Sequence, residues 1–158
     1  MGSVVRACPD EIRDGFKAFK YYNWFQQTPG TPLALHAMPE AGNIRTLAQF
    51  RCGSHQLQCE TARGLGPRST RVCPFCPADE VEDELHLTMC ASWQEHRGRF
   101  PLVFDGDSYR ALLLAVRDGG DVDSSFRLFM TSMSPTQVDQ FTGYLKAVFR
   151  ARKALLPG

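Results

Sequence analysis

A mainly α-helical domain with a small Cys-Cys-His-Cys knuckle embedded in it is the fold class this sequence predicts. Three observations carry that expectation. Apolar residues recur at helical spacing in several segments, alternating strand patterns are scarce, and Cys73, Cys76, His86 and Cys90 fall within 18 residues as Cys-x2-Cys-x9-His-x3-Cys. The chain of 158 residues is 43% apolar and holds 11 phenylalanines, enough for a packed core without disulfides. It divides into an N-terminal helix and loops (1–42), a helix plus knuckle (43–104) and a C-terminal helical segment (105–158), expected to form one globular unit.

A first helix is expected after Asp10, with Ile12, Phe16 and Phe19 at helical spacing, and Thr28-Pro-Gly-Thr-Pro32 ends it. Pro39 to Gly42 reads as a loop. A second helix is expected from Ile44 to about Ala62, with Leu47, Phe50 and Leu57 on one stripe and Gly53 as its weak point. Arg63 to Thr70 reads as an exposed, mobile connection. Asp79 followed by Glu82 predicts a cap for a helix reaching about Trp93, which places five acids between Asp79 and Glu84 at its positive end. Asp105-Gly-Asp107 then starts a helix carrying Tyr109, Leu112, Leu113 and Val116 and closed by Gly119-Gly120. Phe126, Phe129, Met130 and Met133 make a further apolar segment. The clearest pattern follows: Ser134 as N-cap, Pro135 at N1 and Gln137 at N3, then Val138, Phe141, Leu145, Val148 and Phe149 on one face.

The four-ligand spacing is what a structural zinc site requires. Cys73-Pro-Phe-Cys76 is short enough for a tight knuckle to aim both sulfurs at one ion, and His86 and Cys90, at i and i+4, share a helix face. A site with four protein ligands is closed, so Zn²⁺ here is expected to be structural and not catalytic. Cys-Pro-Phe-Cys also resembles the motif of glutaredoxin-type redox proteins. That chemistry wants its first Cys at a helix N-terminus after a strand, and here nearby acids would raise a thiol pKa instead. A second stripe, Ala48, Cys52, His55, Cys59 and Ala62, would follow one helix face. Cys52, His55 and Cys59 are candidates for a second metal site or for support of the first, with a packing face bearing a hydrogen-bonded His the favoured alternative. His36, His96 and Cys8 carry no spacing signal.

The formal net charge is +1, from 18 Lys and Arg against 17 Asp and Glu. A dedicated nucleic-acid-binding domain usually has a clear basic excess. The balance hides segregation into Arg45, Arg51, Arg63, Arg68 and Arg71, the acids from Asp79 to Glu84, and the run Lys146, Arg150, Arg152 and Lys153. Solvated helix faces explain this more simply than a bipolar surface. No phosphate-cradling glycine loop, nucleophile elbow or paired carboxylates in an apolar setting are present, so no enzyme is expected. No secretory leader is expected at the N-terminus, and no apolar run approaches the roughly 20 residues that span a bilayer. Reduced thiols in an intracellular setting, cytoplasm or nucleus, follow from that expectation.

The run from Leu47 to Arg63, with its Arg51-Cys-Gly-Ser-His55 stretch and Glu60-Thr-Ala-Arg63, is followed by Arg71-Val-Cys-Pro-Phe-Cys76, Val81-Glu-Asp-Glu-Leu-His86 and Cys90. This resembles the zinc-binding region at the C-terminal end of non-LTR retrotransposon reverse transcriptases, most strongly from about Leu47 to Phe104. That family more often has four residues between the His and the last Cys where this chain has three, a spacing that i, i+4 geometry still allows. The resemblance implies that Cys73, Cys76, His86 and Cys90 bind zinc in a module that lies downstream of a polymerase. The chain lacks a polymerase palm and its Asp-Asp motif, so a free-standing tail or fragment without catalysis is expected. Contact with RNA or DNA would run through Arg45, Arg51, Arg63, Arg68 and Arg71 and through Lys146 and Arg150. The competing expectation is a protein-interaction module in which zinc only holds the fold and the Phe-rich helices bind a partner.

Overall fold

The computed structural model describes residues 41–53, 55–61 and 65–157. The helix expected after Asp10, its Thr28–Pro32 stop, Cys8, His36 and Arg63 lie outside the described residues. Helix α1 spans Ala41–Arg51 and α2 Gln58–Thr61. The knuckle follows, then α3 Glu84–Met89, α4 Gln94–Gly98, α5 Pro101–Phe104, α6 Asp107–Asp118, α7 Val122–Thr131 and α8 Pro135–Leu155. No strand occurs among the described residues; one antiparallel bridge joins Val72 and Val81. No helix among them is long and apolar enough to cross a membrane.

Helix α8 is the spine, and its start is the one the sequence spells out. Ser134 Oγ accepts the Gln137 N–H, while Gln137 Oε1 accepts the Ser134 N–H at 2.8 Å, a complete capping box with Pro135 at N1. Its apolar stripe is buried against both the N-terminal and the middle parts of the fold: Val138, Phe141, Leu145 and Val148 are core residues. Helix α1 lies on one side of α8, putting Phe50 edge-on to Phe141 with centroids 5.7 Å apart. The other side packs α5, and Phe104 meets Tyr144 at 4.7 Å and Tyr109 at 4.9 Å. Phe126, Phe129 and Phe141 are all within 1% of complete burial, so these three belong to the core and not to a docking face.

Several expectations change. The expected helix 44–62 starts earlier, at Ala41, and stops at Arg51, because Gly53 adopts φ 67°, a left-handed turn that breaks the stripe. The helix expected from Asp79 begins at Glu84, capped by Asp83, whose carboxylate accepts the His86 N–H at 2.8 Å; Asp79 itself turns the knuckle at φ 56°. It ends at Met89, and a separate 3-10 turn holds Ala91–Trp93. Helix α6 ends at Gly119 as expected, in the left-handed conformation at φ 74°. It buries only Tyr109 and Leu112, however, and leaves Leu113 and Val116 exposed, since α7 covers one flank alone.

Gly143, midway along α8, marks a close approach. A Cβ there would lie 2.9 Å from Cε1 of the Phe100 ring, which packs on Tyr144. Gly143→Ala would gain about 1 kcal/mol of helix propensity, but overpacking against a rigid ring costs about 1–3 kcal/mol. A net loss of about 1 kcal/mol is expected, read as a lower urea midpoint with unchanged m-value.

Candidate metal centre

The chain from Arg71 to Glu82 doubles back on itself. Cys73 N–H donates to the Glu80 carbonyl at 2.8 Å, and Glu82 N–H to the Arg71 carbonyl at 3.0 Å. This closes the Cys73–Asp79 loop and turns the two cysteines inward. Phe75 points the other way and lies 5.1 Å from Trp93. Ser92 Oγ donates to the Phe75 carbonyl at 2.5 Å, so the turn after Cys90 clamps the knuckle from outside.

Helix α3 brings the other two donors. His86 follows its cap by three residues, and Cys90 closes its last turn with its N–H on the His86 carbonyl at 2.7 Å. The carbonyls of this short helix are held from elsewhere. Tyr144 of α8 donates to Leu87 O at 2.5 Å, Tyr109 of α6 to Thr88 O at 2.6 Å, and Arg97 Nη1 to Cys90 O at 2.8 Å. Burial pushes both phenols above their ordinary pKa, which keeps them as donors.

The outcome is a cluster of four donor atoms all within 4.8 Å of one another. Cys73 Sγ lies 3.9 Å from Cys90 Sγ, and Cys76 Sγ lies 3.5 Å from His86 Nε2. A tetrahedral ion with bonds of about 2.3 Å to sulfur and 2.0–2.1 Å to nitrogen requires edges of about 3.8 Å between sulfurs and about 3.6 Å between sulfur and nitrogen. These two edges match what such an ion needs, and the four donors, all within 4.8 Å of one another, could hold one. Glu80 Oε2, 3.0 Å from His86 Nδ1, turns Nε2 toward the sulfurs and would raise its basicity as a ligand.

The electrostatics of the cluster agree. The Cys73 thiol is pushed up to about 12, by its hydrogen bond with Cys90 and by burial, while that same bond lowers Cys90. Burial alone would lower His86, yet Cys73, Glu80 and Cys76 raise it to about 9. Crowded donors cannot all give up their protons without a compensating cation, which a bound dication supplies. Cys90 and burial, not the acids that the sequence points to, are what hold the Cys73 thiol up.

The second stripe does not survive as a stripe. Cys52 sits exposed on the turn after α1, away from the others. His55 and Cys59 meet Glu84 instead: His55 Nε2 is 2.8 Å from Oε1, and Cys59 Sγ is 4.0 Å from Oε2. These three donors are near enough to hold an ion. The Leu57 N–H, however, donates to His55 Nδ1 at 3.3 Å, which leaves Nε2 to carry the proton it gives to Glu84. The trio is a hydrogen-bonded brace that ties the loop after α1 to the first turn of α3.

The acids and bases are also redistributed. Glu82 and Glu84 are fully buried and Asp83 nearly so, which overturns their reading as a solvated face. Each has a partner that offsets its desolvation: Asp83 caps α3, Glu84 takes His55, and Glu82 takes Arg152. Arg152 Nε and Nη2 donate to the two Glu82 oxygens at 2.7 and 2.8 Å, and Nη2 also reaches the Gln56 carbonyl. Its guanidinium lies over Phe75 and Phe149, 5.3 and 5.9 Å from the ring centroids. Among the basic residues named from sequence, Arg51 is buried, and Arg71 donates to the carbonyls of Cys59 and Gly66. Arg45 and Arg150 are exposed, and Lys146 is half-buried with its Nζ on Asn43 Oδ1. Arg63 and the side chain of Arg68 lie outside what is described.

Comparison with family models, with curated proteins and with solved structures returns no match for this chain.

Proposed function

We propose that this chain is a non-catalytic module, stabilised by Zn²⁺ on Cys73, Cys76, His86 and Cys90, of the kind found at the end of retroelement reverse transcriptases, and that it binds RNA or DNA. The observation that carries the metal half is the spacing of the donors, 3.9 Å between sulfurs and 3.5 Å from sulfur to nitrogen, in a closed set of three thiolates and one imidazole. Soft thiolates with imidazole in tetrahedral array select zinc over harder ions. The retroelement half is supported by the run from Leu47 to Cys90 in sequence. The nucleic-acid half is supported by exposed cations at Arg45, Arg150 and Lys153. The competing reading, a protein-interaction module, loses Phe126, Phe129 and Phe141 to the core, and keeps exposed apolar residues that include Leu65, Leu102, Leu113, Leu114, Val116, Leu128 and Leu155.

A salt titration of binding to single-stranded RNA decides between them. Affinity should fall with log salt at a slope of about −2, the value for about three phosphate contacts on a single strand. No detectable binding at about 50 mM salt would contradict the nucleic-acid reading.

A further inference from the structure

Helices α1 and α8 leave a groove of about 680 Å³ between them, and no described residue from Cys73 to Cys90 lines it. Three cations line it along α8: Lys146, Arg150 and Lys153, at i, i+4 and i+7 and hence on one face. Lys146 already donates to Asn43 Oδ1, and several basic residues elsewhere are also engaged. Arg152 is spent on Glu82, Arg71 on backbone carbonyls, Arg110 on Asp107 and Arg117 on Asp118. Arg150 and Lys153 are exposed, and no described residue pairs with either. Among the described residues, no carboxylate lines the groove.

The floor and the opposite wall are of another chemistry. Phe149 is half-buried; the His55 ring, 6.3 Å away and nearly parallel, backs it from within with only 2% of its side chain exposed, so Phe149 is the ring that faces the groove. Gln49 and Gln56, both exposed, put amide donors and acceptors on the rim. Cations on one edge, a half-buried ring within and amides opposite are the three elements by which proteins take an unstacked nucleotide: phosphate contact, stacking and hydrogen bonds to a base edge. The volume is that of a small-ligand pocket, and a duplex, whose major groove alone is about 12 Å wide, does not enter it. The knuckle presents the opposite charge, with Asp79 and Glu80 exposed at its tip.

We infer that this groove is where the chain takes a single-stranded nucleic acid, with phosphates on Lys146, Arg150 and Lys153 and a base against the exposed part of Phe149, while the metal knuckle makes no contact. This rests on the nucleic-acid reading above and names its site and substrate class.

The test is fluorescence anisotropy on the zinc-loaded full chain with a short mixed-sequence oligoribonucleotide, single-stranded and as a duplex. Lys146→Gln, Arg150→Gln and Lys153→Gln combined should weaken single-strand binding by at least about tenfold and remove about 2 from the magnitude of the salt slope. Phe149→Leu keeps apolar bulk without the ring and should weaken binding about five- to hundredfold, the range for one stacked base. Arg110→Gln with Arg117→Gln removes two charges from α6 and should change neither quantity. Zinc content and melting temperature of each variant check that the fold is kept. If the unmodified chain binds and the triple variant binds equally well with the same slope, the groove assignment is overturned and the nucleic-acid reading stands. If duplex is bound as tightly as single strand, the substrate class is overturned. If the unmodified chain binds neither, both fail together.

Discussion

Cys76→Ser combined with His86→Ala is expected to cost at least about 5 kcal/mol of stability. Structural zinc contributes roughly 10–16 kcal/mol apparent in isolated finger peptides, while a whole domain is stable by only about 5–15 kcal/mol. Loss of the ion thus removes a term as large as the net stability. The damage should not stay local, because α3 sits in the centre: Leu85 and Leu87 are core residues, and Tyr144 and Tyr109 bond carbonyls of this helix. Losing α3 orphans two buried hydroxyls and uncovers the aromatic cluster around Phe104. At about 2–4 °C per kcal/mol for a chain of this size, the melting temperature should fall by about 10–20 °C, or cooperative melting should vanish. Chelation of the unmodified protein should reproduce the loss, and re-addition of Zn²⁺ should reverse it. Thermal melts that coincide with and without chelator would show that the metal does not hold the fold.

Arg152→Met is expected to be nearly as severe, at about 3–5 kcal/mol. The reason is what it leaves behind: Glu82, fully buried, with only the Gln58 N–H at 2.9 Å on its carboxylate. The substitution also removes the donor to Gln56 O and the guanidinium between Phe75 and Phe149. Glu82→Leu alone should be destabilising for the mirror reason, an unpaired buried guanidinium. The double substitution should lose clearly less than the sum of the two, since both charges leave together. Urea unfolding of all four proteins gives the coupling directly; additive losses would mean that the pair is not acting as a unit.

How much of this was legible in the sequence depends on how local the cause is. Ser134, Pro135 and Gln137 form their cap within four residues, so the start of α8 could be read outright, as could the stop at Gly119. The ligands Cys73, Cys76, His86 and Cys90 are likewise marked by spacing, and the structure gathers all four. Gly53 was visible as a weak point, but the choice between a costly helical glycine and a left-handed turn is made by tertiary packing, and the turn won. That choice dissolved the Cys52, His55, Cys59 stripe. Ion pairs across long separations left fainter traces. Arg152 reads as one of a run of surface charges, yet it extends the stripe Val138, Phe141, Leu145 and Val148 by four residues, and that register places it on the buried face. A charge in an apolar stripe calls for a buried counter-charge, and the Asp79 to Glu84 cluster was the only dense source of one. Nothing in the local pattern distinguishes Glu82 and Glu84, which go inside, from Asp79 and Glu80, which stay out.

X-ray absorption at the zinc edge of the protein purified without chelator tests the central claim most directly, because it counts ligands by element. One zinc per chain is expected, with three sulfurs at about 2.3 Å and one nitrogen at about 2.0–2.1 Å, and no oxygen in the shell. A shell with fewer than three sulfurs, one containing water oxygen, or a folded chain carrying no zinc would contradict a closed site built from Cys73, Cys76, His86 and Cys90.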